Sequence, residues 1–127
     1  MTVVYADTSW LIDRRARGLP PRPRRLGGPP TSTLLTSELT VVEVGRVLRR
    51  QDANRDWTSR ISSTVESLDM MSVSASVVAL AAHLPIQFLR SLDAIHLASA
   101  LLARSALVLT LDGRLASACR EFGLETN

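Results

Sequence analysis

The stretch ALVLTLDGRLASACREFGLET (106–126) decides the fold class. ALVLT (106–110) is a short apolar run ending at a polar turn, which reads as a strand; DGRLASACREFG (112–123) spaces its apolar residues helically; LET (124–126) is the stub of a further strand. Strand, helix and strand again make the unit of a parallel sheet. The same alternation runs back through the chain. VVYA (3–6) reads as a first strand leading into DTS and a short helix over SWLIDRRAR. TLLT (33–36) reads as a second strand, with Ser37 as N-cap of a helix carrying Leu39, Val42, Val44, Val47 and Leu48. NRDWTSRISSTVESL reads as an amphipathic helix, MMSV (70–73) as a third strand and SASVVALAAHL as the helix behind it. RSLDAIHLASALLA (90–103) is a buried helix, N-capped by Ser91, that begins shortly after Pro85. The expected architecture is α/β, a three-layer α/β/α sandwich around a central parallel sheet of four to five strands, within one domain over residues 1–127.

Composition narrows the chemistry. All fifteen basic residues are arginine, and the net charge is +3. A receiver domain relies on a partner lysine, and a P-loop nucleotide hydrolase needs one among the phosphates, so neither class fits. Cys119 is the single cysteine, which excludes an internal disulfide and a cysteine-rich zinc site. Neither a membrane span nor a signal peptide is visible, and the expected location is cytoplasmic. GLPPRPRRLGGPP (18–30) is too rich in Pro and Gly for a regular element and reads as an exposed, mobile loop. With the helix before it, this segment gathers Arg14, Arg15, Arg17, Arg22, Arg24 and Arg25, an electrostatic arm suited to phosphate.

In an open parallel sheet, chemistry collects where the strands' C-terminal ends meet the N-termini of the following helices. Four acids fall there. Asp7 follows the first strand, Glu43 lies in the second turn of the helix after the second strand, Asp93 opens the 90–103 helix, and Asp112 follows the fourth strand. Singly, each reads equally well as a turn, cap or surface residue. Together they repel: at about 4 Å and an effective dielectric near 20, one unsolvated pair costs on the order of 4 kcal/mol. A cation is required, and an all-oxygen donor set selects Mg²⁺ or Mn²⁺ over zinc. Such an ion beside arginines suggests phosphodiester hydrolysis. A small-ester phosphatase is disfavoured, because Asp7 is followed by Thr8 and Ser9 rather than a second aspartate. The helix N-terminus is expected to keep Asp93 ionised. His96 and Ser99, on the same stripe, are read as packing residues, while Thr8, Ser9 and Thr110 are candidates to hydrogen-bond ligands or waters.

YADTSWLI, TSELTVVEVGRVLRR, LRSLDAIHLASAL and LVLTLDGRLASACREFGL resemble, in order and spacing, the motifs of the PIN-domain ribonucleases, above all the VapC toxins of bacterial toxin–antitoxin pairs. The resemblance covers nearly the whole chain. It implies that Asp7 and Asp93 are the principal metal ligands and catalytic residues, with Glu43 and Asp112 completing the quartet on a second ion or the attacking water. It further implies a Mg²⁺- or Mn²⁺-dependent endoribonuclease acting on tRNA or rRNA, a homodimer, and a cognate VapB-like antitoxin. Two positions depart from the pattern: the segment between Asp13 and Thr31 is short where relatives carry a helix, and Gly113, Arg114 and Leu115 stand where many relatives carry a further acid. The arginine arm and that missing acid motivate an alternative from another class, a catalytically weak RNA-binding or antitoxin-binding module.

Overall fold

The computed structural model describes residues 2–24, 26, 32–51 and 56–127. Its strands β1 (Val3–Ala6), β2 (Thr33–Ser37), β3 (Asp69–Met71), β4 (Leu107–Leu109) and β5 (Glu125–Thr126) form one sheet in the order β3-β2-β1-β4-β5. Every neighbouring pair is parallel, with Tyr5 beside Leu35 on one side and Val108 on the other. The connections run through α1 (Thr8–Ala16), α2 (Glu38–Gln51), α3 (Trp57–Val65), α4 (Ala75–His83), α5 (Ser91–Leu102) and α6 (Gly113–Glu121). This is the three-layer sandwich expected from the alternation.

Successive strand residues serve opposite faces, which is why these strands are apolar throughout. Tyr5 and Val108 pack with Leu97 and Ala100 of α5 and with Leu115, Ala118 and Cys119 of α6. Val4, Ala6, Leu34 and Leu109 pack on the other face with Leu11 of α1. Among the described residues no helix is long and apolar enough to cross a membrane.

Three local expectations differ from the structure. The third strand covers Asp69–Met71 rather than 70–73, because an exposed edge strand has no apolar periodicity to fix its ends. Ser37 closes β2 while its hydroxyl accepts from Leu39 N at 3.0 Å, so it serves strand and helix at once. The N-cap of α5 is Arg90 without a side-chain cap bond, and Ser91 is already helical.

The loop after α1 is tied down where it is described. Gly18, at φ +66°, turns the chain out of the helix, and Leu19 N bonds back to Arg14 O. Arg14 stacks over Trp10 at 4.9 Å and donates to Pro20 O, Arg17 pairs with Asp13, and Arg22 donates to Ser32 O. These arginines therefore fasten the segment to the fold instead of forming a free arm; Arg25 and residues 27–31 lie outside the described residues.

Leu97 is fully buried between α5 and the sheet. Leu97→Ala should lower the unfolding free energy by about 3 kcal/mol in urea titrations. Leu102→Ala, at a 44% exposed position, should cost less than about 1 kcal/mol.

Candidate active site

The chain leaves β1 toward β2 on one side, while β4 pairs on the other, so the strand order switches direction between β1 and β4. Such a switch leaves a crevice beyond the strand ends. Asp7 and Asp112 follow these two strands, each as the N-cap of the next helix. Asp7 is 3% exposed. Its Oδ1 accepts from Trp10 N at 3.0 Å and Ser9 Oγ at 2.7 Å, and its Oδ2 accepts from Thr110 Oγ1 at 2.6 Å. Thr110 Oγ1 accepts in turn from Asp112 N, and Ser9 Oγ from Leu111 N. Asp112 Oδ1 accepts from Arg114 N and Leu115 N. The capping role and the position at the active edge thus coincide, and the hydroxyls of Ser9 and Thr110 brace Asp7 as expected.

Asp93 sits in the first turn of α5, half-buried. Burial and the charge of Asp112 push its carboxyl above the ordinary range, Asp7 and Glu43 add to that, and His96 opposes it. Desolvation and three acidic neighbours thus act against the ionised form that the helix N-terminus favours. It also shows that the four acids named from the sequence feel one another electrostatically.

Glu43 lies on α2, facing the start of α1 and α5. Its Oε1 accepts from Thr8 Oγ1 at 2.7 Å and meets His96 Nε2 at 2.6 Å. Burial alone would raise this carboxyl, but the bond and charge of His96, with the Thr8 hydroxyl, bring it below the ordinary value. His96 is 2% exposed, and its Nδ1 lies 2.7 Å from the hydroxyl of fully buried Tyr5. Burial and Asp7 drive the Tyr5 hydroxyl far up, so it keeps its proton beside Nδ1. Nε2–H is the donor to Glu43. His96 is therefore hydrogen-bonded and buried, as the packing reading has it, yet it is also wired to the acidic edge. Its position three residues after Asp93, on the same helical stripe, was the signal for that link; Tyr5 carried none.

The donors at this edge are hard oxygens, and Asp93 carries like-charge repulsion that His96 only partly offsets, which fits a divalent cation. As placed, no three His, Cys, Asp or Glu side chains among the described residues approach closely enough to hold a metal jointly. Asp7 instead has both oxygens occupied by hydroxyls and a backbone amide. Cys119 is no candidate ligand, because burial, with Asp7, pushes its thiol up to about 11. A cavity of about 650 Å³ between α1, α2 and α3 contains none of the four acids.

The PIN domain family model matches residues 4–121. Ribonuclease VapC47 of Mycobacterium tuberculosis is 40% identical over 93 residues, covering 72% of this chain and 68% of the relative. Among solved structures, VapBC2 from Rickettsia felis, crystallised with a DNA fragment from its promoter, superposes at a TM-score of 0.72 with 10% identity over 99% of this chain and 98% of that one. Mycobacterium tuberculosis VapC20, described as a sarcin-ricin loop cleaving toxin, gives 0.65 with 16% identity over 91% and 94%. At these identities the two structures speak for the fold alone. The fold and the family match define a PIN domain. The chain belongs to the PIN-domain family, alongside the VapC ribonucleases.

Because folding raises the Asp93 pKa, its ionised form opposes folding; that penalty is complete above the folded pKa and fades as pH falls through it. Without divalent ions, Asp93→Asn should melt above the wild type near neutral pH. The gap should close as the pH approaches the carboxylate range, followed by circular dichroism.

Proposed function

We propose that the acidic edge hydrolyses RNA phosphodiester bonds with Mg²⁺ or Mn²⁺, with Asp7 and Asp93 as the principal ligands and Glu43 and Asp112 holding a second ion or the attacking water. The observation that carries this reading is the response of Asp93 to Asp112, Asp7 and Glu43 together. A divalent ion supplies charge neutralisation at the phosphate and a more acidic attacking water. The chain's own residues do the rest. Thr110 and Ser9 hold Asp7 in one orientation, and their hydroxyls are the groups that rotate away when its oxygens are needed elsewhere. Glu43, kept ionised by His96 and Thr8, is the carboxylate suited to orient water.

The RNA is taken as tRNA or rRNA, as for the VapC group, and the restraining partner as a VapB-like antitoxin. Phe88, 80% exposed, and Leu92 in α5 are the apolar surface offered to a homodimer. A second reading, a catalytically weak module that binds RNA or antitoxin, is favoured by one observation: among the described residues no three potential ligands converge. It demands salt-sensitive RNA binding without metal-dependent turnover.

Cleavage of single-stranded RNA by the wild type should require Mg²⁺ or Mn²⁺ and stop with chelator. Asp7→Asn and Asp93→Asn should each lose at least about 100-fold in rate, and Thr110→Val, which removes the hydroxyl bonded to Asp7 and to the Asp112 amide, about 10- to 100-fold. Undiminished turnover in either aspartate variant would overturn the assignment.

A further inference from the structure

Polar side chains on the helices of this fold mostly satisfy themselves locally. Ser99, three residues beyond His96 in α5, donates to Ile95 O of its own helix, and the Nδ1 of His83 in α4 lies 2.7 Å from Ala79 O, again within one helix. Such bonds partner a polar atom and connect nothing else. His96 joins three elements instead. Its Nδ1 lies 2.7 Å from the Tyr5 hydroxyl of β1, and its Nε2 donates to Glu43 of α2 at 2.6 Å.

The imidazole is itself held in place. It is buried and packs edge-on against Tyr5, with ring centroids 5.9 Å apart at 67°, and Tyr5 is fully buried in the central strand of the sheet. His96 is therefore a spacer of fixed length between the sheet and Glu43. A glutamate side chain turns about three bonds, so its carboxylate has no defined direction unless partners supply one. Here both partners take the same oxygen. Oε1 accepts from His96 and from Thr8 Oγ1, which fills its two lone pairs. Among the described residues Oε2 has no hydrogen-bond partner, and the side chain is 23% exposed. The two donors stand beside the proposed metal ligands, since Thr8 follows Asp7 and His96 lies one turn beyond Asp93. One oxygen of Glu43 is spent on the fold, and the other is left over at the acidic edge.

We propose that His96 is a positioning residue for RNA hydrolysis: by pinning Oε1 it leaves Oε2 as the single oxygen that Glu43 offers to a divalent ion or to its water. The inference rests on the reading of the acidic edge as a metal site given above. His96 touches neither ion nor RNA in this role and acts only through Glu43.

Two substitutions separate the two sides of the ring. The amide of His96→Gln reaches about as far as Nε2 and can donate to Glu43, whereas the amide of His96→Asn ends near Nδ1 and keeps only the Tyr5 contact. Mn²⁺ binding to the full chain is read from the paramagnetic resonance of the free ion, and cleavage of single-stranded RNA is followed in parallel. His96→Asn should weaken Mn²⁺ binding at least about tenfold and lower kcat by a similar factor at unchanged KM, while His96→Gln stays within about threefold of the wild type in both. With Glu43→Ala already present, His96→Asn should weaken Mn²⁺ binding no further. Equal losses in the two variants, losses that follow their melting temperatures instead of the reach of the amide, or a further loss in the Glu43→Ala background would overturn the proposal and leave His96 a structural part. A wild type that binds Mn²⁺ without cleaving RNA would sink the ribonuclease reading alone, and the Mn²⁺ comparison would still decide the role of His96. A wild type that binds no Mn²⁺ would overturn both.

Discussion

Asp7 is the joint between the two halves of the molecule. Its backbone amide donates to Leu109 O at 3.0 Å, extending the β1–β4 pairing one residue past the strand, and its side chain accepts from Thr110, beyond β4, and from Ser9 and Trp10 of α1. One buried carboxylate thus caps α1, fixes the turn after β1 and holds the turn after β4 against it. Thr110 is itself braced, because its amide donates to Asn127 Oδ1 beyond β5. The crevice at the switch point therefore has walls whose relative position is set by hydrogen bonds to the same acid that heads the candidate site, so a change there disturbs architecture and chemistry together.

A second chain of bonds runs at right angles to the first in function. Tyr5, His96, Glu43 and Thr8 link the middle of β1 through α5 to α2 and back to the start of α1. Each member satisfies a polar group that would otherwise be buried without a partner, which makes the network an all-or-none arrangement. Its effect on Glu43 is opposite to the environment of Asp93: one carboxyl is lowered by a dedicated partner, the other raised by its acidic neighbours. Two carboxylates at one edge with pKa values driven apart have distinct roles available to them.

The layers and the edge were legible in the sequence because both are written locally. An apolar run followed at once by a polar turn and a helical period announces β1–α1 and β4–α6, and the acid after each strand is found by counting. The network was not legible, because Tyr5 and His96 are 91 residues apart and Glu43 and His96 are 53 apart, with no local pattern reporting that α2 and α5 meet. The upward shift of Asp93 was not legible for the same reason: the helix N-terminus is visible from spacing, whereas desolvation and the approach of Asp112 belong to the tertiary structure. The arginines of residues 14–25 looked like one basic feature. Their described members divide into fasteners, such as Arg14 and Arg22, and Arg15, which α3 draws in from 45 residues away.

Like charges are concentrated in two places, negative at the strand ends and positive between α1 and α3, and neither concentration favours the fold by itself. Uncompensated charge in a partly desolvated setting is retained against a stability cost when a ligand of opposite sign relieves it. A ligand that binds only the native state adds stability in proportion to the logarithm of its concentration over its Kd.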